Sequence, residues 1–190
     1  MTVRCFLIEP NGKWRTYYRR YSTDGSACSN RKRSYHDASV LISTDVDGDH
    51  VSHTIDPTDA DRADPRWPTV CASCGFVFGS TGVWQISRHP VYASAEGVEM
   101  ELHDARPGAM WHAYWLDRVG ANRAPDGKNL IAICPDGSEW WIDGPASNGP
   151  GWTRTGTPPN VTCSPSILVP GYHGFLRDGV FTGDVDGRKD

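Results

Sequence analysis

The chain has 190 residues, with 20 Gly, 14 Pro and 8 Trp, a net charge of −4 and a pI near 5.9. This density of turn-makers excludes a coiled coil, and the aromatic content excludes a disordered tail. The mild acidity excludes a global nucleic-acid footprint, and no apolar run reaches the roughly 18 residues of a membrane span.

From the N-terminus, residues 3–8 and 14–21 read as strands. The second carries Trp14, Tyr17, Tyr18 and Tyr21 between Arg15, Arg19 and Arg20. Aromatics inward with arginines outward is the structural account of that pattern. Stacking on single-stranded nucleic acid through residues 13–33 is the functional one. Lys13, Arg15, Arg19, Arg20, Arg31, Lys32 and Arg33 face one acid, Asp24, in that stretch; residues 34–64 then hold eight Asp against Arg62. The two blocks are expected to neutralise each other on one surface.

Seven Asp-Gly pairs mark turns that need a positive φ. One lies between residues 40–44 and 50–55, which read as a hairpin. Asp45, Asp47 and Asp49 at its tip faintly echo a calcium loop, but the Gly falls at the wrong place for one. Residues 56–69, with three Pro and four acids, read as a surface loop.

Cys71-Ala72-Ser73-Cys74 followed by Gly75 is the strongest local motif. Thiols at i and i+3 on a tight turn bind one metal ion, and a closed zinc site needs two further ligands. Cys28 and His36, flanking a basic turn, are the best pair in the N-terminal half. The short apolar stretch at the N-terminus does not read as a secretory signal. In a cytosolic chain disulfides are disfavoured, so six Cys with one Cys-x-x-Cys favour metal or free thiols.

Residues 76–78, 83–86 and 98–102 read as strands. A helix is expected from Pro107, with Met110, Trp111, Tyr114 and Trp115 on one face; an alternating strand competes there. Residues 130–134 and 139–142 read as a hairpin, as do 174–177 and 180–182. In the first of these, Trp140 and Trp141 are adjacent and must point to opposite faces. Residues 143–165, apart from Trp152, read as a loop, and 183–190 as a flexible tail. Trp140, Trp141, Trp111, Tyr172 and His173 are candidate binding residues. His103 beside Asp104, and His112 near Asp117, could assemble an acid–base site. No nucleophile elbow, phosphate loop, dinucleotide fingerprint or His-Glu-x-x-His motif is present.

Several ordered strings carry a family resemblance. They are Tyr35-His36-Asp37-Ala38, Trp67-Pro68, Pro107-Gly108-Ala109-Met110-Trp111, Cys134-Pro135-Asp136-Gly137, the stretch from Ile142 to Asn148, and Tyr172-His173-Gly174-Phe175-Leu176. Together they resemble a family of proteins from phages of actinobacteria, some of which carry the name ammonia monooxygenase. Fifteen Arg against four Lys fits the GC-rich coding such a source implies. The enzyme name does not fit these residues, since it denotes a membrane copper protein and this chain has no span. The resemblance implies Cys after Ala146-Ser147-Asn148 and before Trp152; here Gly149 follows, and no Cys precedes Trp152. Cys28, His36, Cys71 and Cys74 are retained.

The expectation is a single domain, 1–190. It is mainly β (or α+β with little helix), with antiparallel hairpins, one or two short helices and a zinc-knuckle-like turn. Its function reads as a non-enzymatic virion component or accessory factor in the host cytoplasm, stabilised by zinc and meeting a phage or host protein. The alternatives are a metal-dependent His/Asp enzyme and a single-strand binder.

Overall fold

The computed structural model describes residues 2–23, 28, 35–46, 52–79, 82–118, 126–145 and 151–183. The chain is mainly β, with antiparallel sheets. In order the strands are β1 (Thr2–Arg4), β2 (Phe6–Ser22), β3 (His36–Val46), β4 (His53–Ile55), β5 (Val83–Ser94), β6 (Glu99–Met100) and β7 (Ala109–His112). They continue as β8 (Leu130–Ile133), β9 (Glu139–Trp141), β10 (Thr153–Thr157), β11 (Asn160–Ser164), β12 (Ile167–Val169), β13 (Tyr172–Arg177) and β14 (Val180–Thr182). Among the described residues one α-helix forms, α1 (Asp59–Ala63), and no helix is long and apolar enough to cross a membrane. Two compact units result: Pro10–Val91, and Met1–Glu9 with Tyr92–Asp190.

In the Pro10–Val91 unit the strand order is β4-β5-β2-β3. Strand alternation decides what each face of β2 does. Trp14, Tyr18, Arg20 and Ser22 are buried, whereas Arg15, Tyr17, Arg19 and Tyr21 are half-buried. The buried face is covered by the segment around α1. Tyr18 donates from its hydroxyl toward Asp61 and Asp64, each at 3.3 Å, and its ring meets Trp67 at 5.0 Å. Residues 56–69 are therefore not all loop. Thr58 and Asp61 form a reciprocal capping box that nucleates one short exposed helix.

In the other unit β7 is the pivot. It lies parallel to Phe6 and Leu7 of β2 and antiparallel to β8, which pairs with β9. Both faces of this small sheet are buried. Met110, Leu130, Ala132 and Trp140 enter one core with Leu176 and Phe181 of the β1-β14-β13-β12 sheet. Ala109, Trp111, Ile131 and Ile133 enter a second core with Ile8 and Tyr92, and Trp141 packs against that one. The adjacent tryptophans thus serve two cores.

The segment after Pro107 is a strand followed by a 3-10 turn over Tyr114–Arg118, not the expected helix. Gly108 explains the choice. Its φ is +91°, and a Cβ there would stand 2.5 Å from the Arg4 carbonyl oxygen. That close approach brings β7 alongside β2, where strand pairing outweighs helix propensity.

Residues 130–142 and 174–182 form the expected hairpins. At the second turn Asp178 and Gly179 have φ of 45° and 68°, as a two-residue type I′ turn requires. The expected hairpin of 40–44 with 50–55 does not form, because β3 pairs with β2 and β4 with β5. Its tip, Asp47 to Asp49 with the calcium-like pattern, lies outside the described residues, as do residues 184–190 of the expected tail. The expected loop 143–165 contains the β10–β11 hairpin. Its strands are rich in Thr and carry little apolar signal, yet Val161 and Cys163 are buried. Arg154 anchors it, donating to Asp143 Oδ1 at 2.9 Å and to Asp126 Oδ1 at 2.6 Å. Of the shorter expected strands, 76–78 reduces to a single bridge between Val70 and Val77, and 98–102 to the two residues of β6.

Candidate metal centre

Cys28, His36, Cys71 and Cys74 converge in the Pro10–Val91 unit, and their ligand atoms all lie within 4.8 Å of one another. Each arrives for a local reason. Cys71 and Cys74 sit on a turn closed by three backbone hydrogen bonds. Cys71 N–H donates to Phe76 O at 2.8 Å, Gly75 N–H to Cys71 O at 2.9 Å, and Phe78 N–H to Thr69 O at 2.9 Å. His36 begins β3 opposite Ser22, on the inward face of the ladder. Asp37 O accepts from Ala72 N–H at 3.1 Å and so ties β3 to the turn.

The spacing suits a tetrahedral ion. Four ligands at about 2.3 Å from a common centre stand about 3.8 Å apart. Cys28 Sγ and Cys71 Sγ are 4.0 Å apart, and His36 Nδ1 is 3.2 Å from Cys74 Sγ. The His36 ring is held flat against Phe76, with centroids 4.0 Å apart and planes 9° from parallel. Cys28, His36 and Cys71 are buried and Cys74 is half-buried.

The electrostatics distinguish the two turn thiols. Burial opposes ionisation of Cys71, but backbone N–H groups of Ser73, Cys74 and Asp37 aim at its sulfur and bring its pKa down to about 6. Cys74 receives one such N–H, from Phe76, yet burial and the adjoining thiols Cys28 and Cys71 hold its pKa up. A cation among the three sulfurs would remove that mutual repulsion.

The remaining cysteines belong to a different environment. Cys5, Cys134 and Cys163 lie in the first core of the other unit, and burial pushes each pKa up to about 12. The six thiols therefore divide into three that cluster where a metal ion could be held and three small core residues.

One residue the sequence reading did not assign to this site is Arg20. It is 8% exposed and lies between the rings of Phe78 and Trp84, each 5.0 Å from its guanidinium carbon. It donates to Pro68 O at 3.3 Å and to Gly79 O. Those carbonyls bracket the Cys71–Cys74 turn, so Arg20 clamps both ends of the metal loop. Its signal in the sequence is an inward position in the β2 alternation, read there only as part of a basic run.

The other candidate residues are dispersed. Trp140 and Tyr172 pack in the first core, Trp111 in the second, and Trp141 against the second. Burial removes Trp111, Trp140 and Tyr172 from any open groove wall. His173, half-buried on β13, pairs across to Leu168. His103 lies 3.5 Å from Glu101 and 3.6 Å from Asp104. His112 Nε2 lies 3.0 Å from Asp117, which also accepts from Asn129 at 2.6 Å. Arg31, Lys32 and Arg33 lie outside the described residues.

Comparison of the chain with family models, with curated proteins and with solved structures finds no match in any of the three.

Proposed function

We propose that Cys28, His36, Cys71 and Cys74 hold one structural zinc ion, and that the protein is a non-enzymatic β-rich component of a phage. The observation that carries the zinc reading is the completeness of the ligand set. Three sulfurs and one imidazole nitrogen fall within 4.8 Å, mostly buried. A site with four protein ligands leaves no position for substrate or activated water, which is the pattern of structural zinc rather than catalytic zinc. Thiolates and imidazole also select zinc over magnesium or calcium. The phage assignment is supported by the ordered strings of the family resemblance. Within it, the roles proposed are a virion component or an accessory factor in the host cytoplasm that meets a phage or host protein.

Metal analysis of the purified chain tests the zinc reading. One equivalent of zinc should survive dialysis and be absent from Cys71→Ser. Chelation should lower the unfolding temperature, because metal binding free energy becomes folding free energy. A metal-free, fully folded protein would refute the site. Mass spectrometry of purified virions separates the two roles: recovery of the chain supports a component, and absence supports an accessory factor.

A further inference from the structure

We propose that the Cys28, His36, Cys71 and Cys74 cluster is a redox switch: hydrogen peroxide oxidises Cys74, Cys71 closes a disulfide onto it, and the site gives up its metal ion. The inference rests on the zinc reading of the same four residues and adds a regulation to it.

The four ligands are not equally enclosed. Cys28, His36 and Cys71 are 3%, 2% and 2% exposed, whereas Cys74 is half-buried. A small solute therefore reaches Cys74 first, and access decides which thiolate of a set reacts. Cys71 is the thiol placed to resolve the oxidised Cys74. The two lie on one turn, share a hydrogen bond and keep their sulfurs within 4.8 Å. Backbone bonds hold that turn, from Cys71 N–H to Phe76 O at 2.8 Å and from Gly75 N–H to Cys71 O at 2.9 Å. Arg20 clamps its two ends through Pro68 O and Gly79 O. None of these contacts uses a metal ion, so the two sulfurs stay face to face once the ion has left. Rotation about the side-chain bonds then closes the gap to the roughly 2.05 Å of a disulfide. Cys28 reaches the cluster from 43 residues before Cys71, outside the turn. Cys5, Cys134 and Cys163 are buried in the core of the other unit, which confines oxidation to the cluster.

The chemistry balances in two steps. The Cys74 thiolate attacks one peroxide oxygen, the O–O bond breaks, hydroxide leaves, and Cys74 becomes a sulfenic acid. The Cys71 thiolate then attacks that sulfur, the S–O bond breaks, a second hydroxide leaves, and the disulfide forms. Each sulfur has lost one electron and the peroxide has taken both. Cys28 and His36 remain, two donors where a closed zinc site needs four. A reductant returns both thiols to a turn that is already formed, so the switch resets.

The test uses the zinc-loaded full chain, hydrogen peroxide and a colorimetric zinc indicator. One zinc should appear for each two thiols lost, and the thiols counted after denaturation should fall from six to four. Peptide mapping should find the bridge between Cys71 and Cys74, and a sulfenic-acid trap applied early should label Cys74 first. A phosphine reductant with added zinc should restore the starting state. Cys74→His keeps four ligands without a thiol at the point of entry. It should slow zinc release on the order of ten-fold. If Cys74→His does not take up zinc, the trapping order in the unaltered chain decides. A chain that holds no zinc before peroxide is added overturns the zinc reading and the switch with it. Three outcomes overturn the switch and leave the zinc reading standing: zinc retained in excess peroxide, sulfenic acid first at Cys28 or Cys71, or a bridge that omits Cys74.

Discussion

Arg20 is a buried cation of β2 held against the rings of Phe78 and Trp84 beside the Cys71–Cys74 turn. In the sequence it is one of seven cations in residues 13–33. In the fold it is buried, stacked on two rings, and bonded to the carbonyls that bracket the metal loop. Replacing it by Met keeps much of the volume but orphans both carbonyls. The Pro68 carbonyl is the buried one, and a buried acceptor left without a donor costs about 1–3 kcal/mol, whereas the exposed Gly79 can turn to water. Arg20→Met is therefore expected to lower the urea midpoint and to speed transfer of zinc to a competing chelator, read with a colorimetric zinc indicator. A variant that lost stability with unchanged zinc transfer would place Arg20 in the fold alone. Lysine should not rescue it, because one ammonium lacks the planar fork that reaches two carbonyls.

At the scale of elements, turns were the most legible part of the sequence and strand partners the least. The Asp178-Gly179 pair predicted a tight turn, and both residues have the positive φ that turn needs. A Cβ on Gly179 would also stand 2.6 Å from the Pro159 carbonyl oxygen, so the site is closed sterically as well as conformationally. Gly179→Ala is expected to destabilise by at least about 1 kcal/mol. Denaturant unfolding gives the measurement, and an unchanged midpoint would contradict the turn geometry. By contrast, β3 and β4 were expected to pair with each other and instead pair with β2 and β5. Alternation fixes which residues share a face but not which edge lies beside it. The helix expected after Pro107 failed for a related reason. The spacing of Met110, Trp111, Tyr114 and Trp115 fits a helical face, but the same segment between β2 and β8 buries Met110 and Trp111 on opposite sides.

For the whole molecule, the six cysteines offer a direct readout of both units. A thiol reagent needs thiolate and access. Cys5, Cys134 and Cys163 have neither, since burial keeps their pKa near 12 and they lie in a packed core. They remain neutral thiols through the range below that pKa, and raising the pH to 9 should not make them react in the folded state. With zinc bound, the native protein should consume almost no reagent at pH 8. Removing zinc should expose up to the three ligand thiols, and denaturation should release all six. Six fast thiols in the native protein would refute both assignments.

What the sequence determined by itself was local. It marked the turns, the opposed tryptophans of β9 and the Cys71–Cys74 loop, whereas the expected split of β2 into aromatics inward and arginines outward holds for Trp14 and Tyr18 but not for Arg20, which is buried, or for Tyr17 and Tyr21, which alternate with Arg15 and Arg19. Those local marks follow from φ/ψ preferences and the two-residue period of a strand, which neighbours in the chain impose on one another. It also pointed to Cys28 and His36 as partners for that loop, but nothing in their spacing required the four to meet. Tertiary structure decided that, through the β2–β3 ladder that carries His36 inward and the Asp37 carbonyl that binds the loop. It likewise decided that Arg154 makes a hairpin of a Thr-rich stretch and that Arg20 clamps rather than binds. Long-range contacts between residues far apart in the chain set these outcomes, because burial and hydrogen-bond satisfaction depend on what lies across the core, not on the adjacent residue.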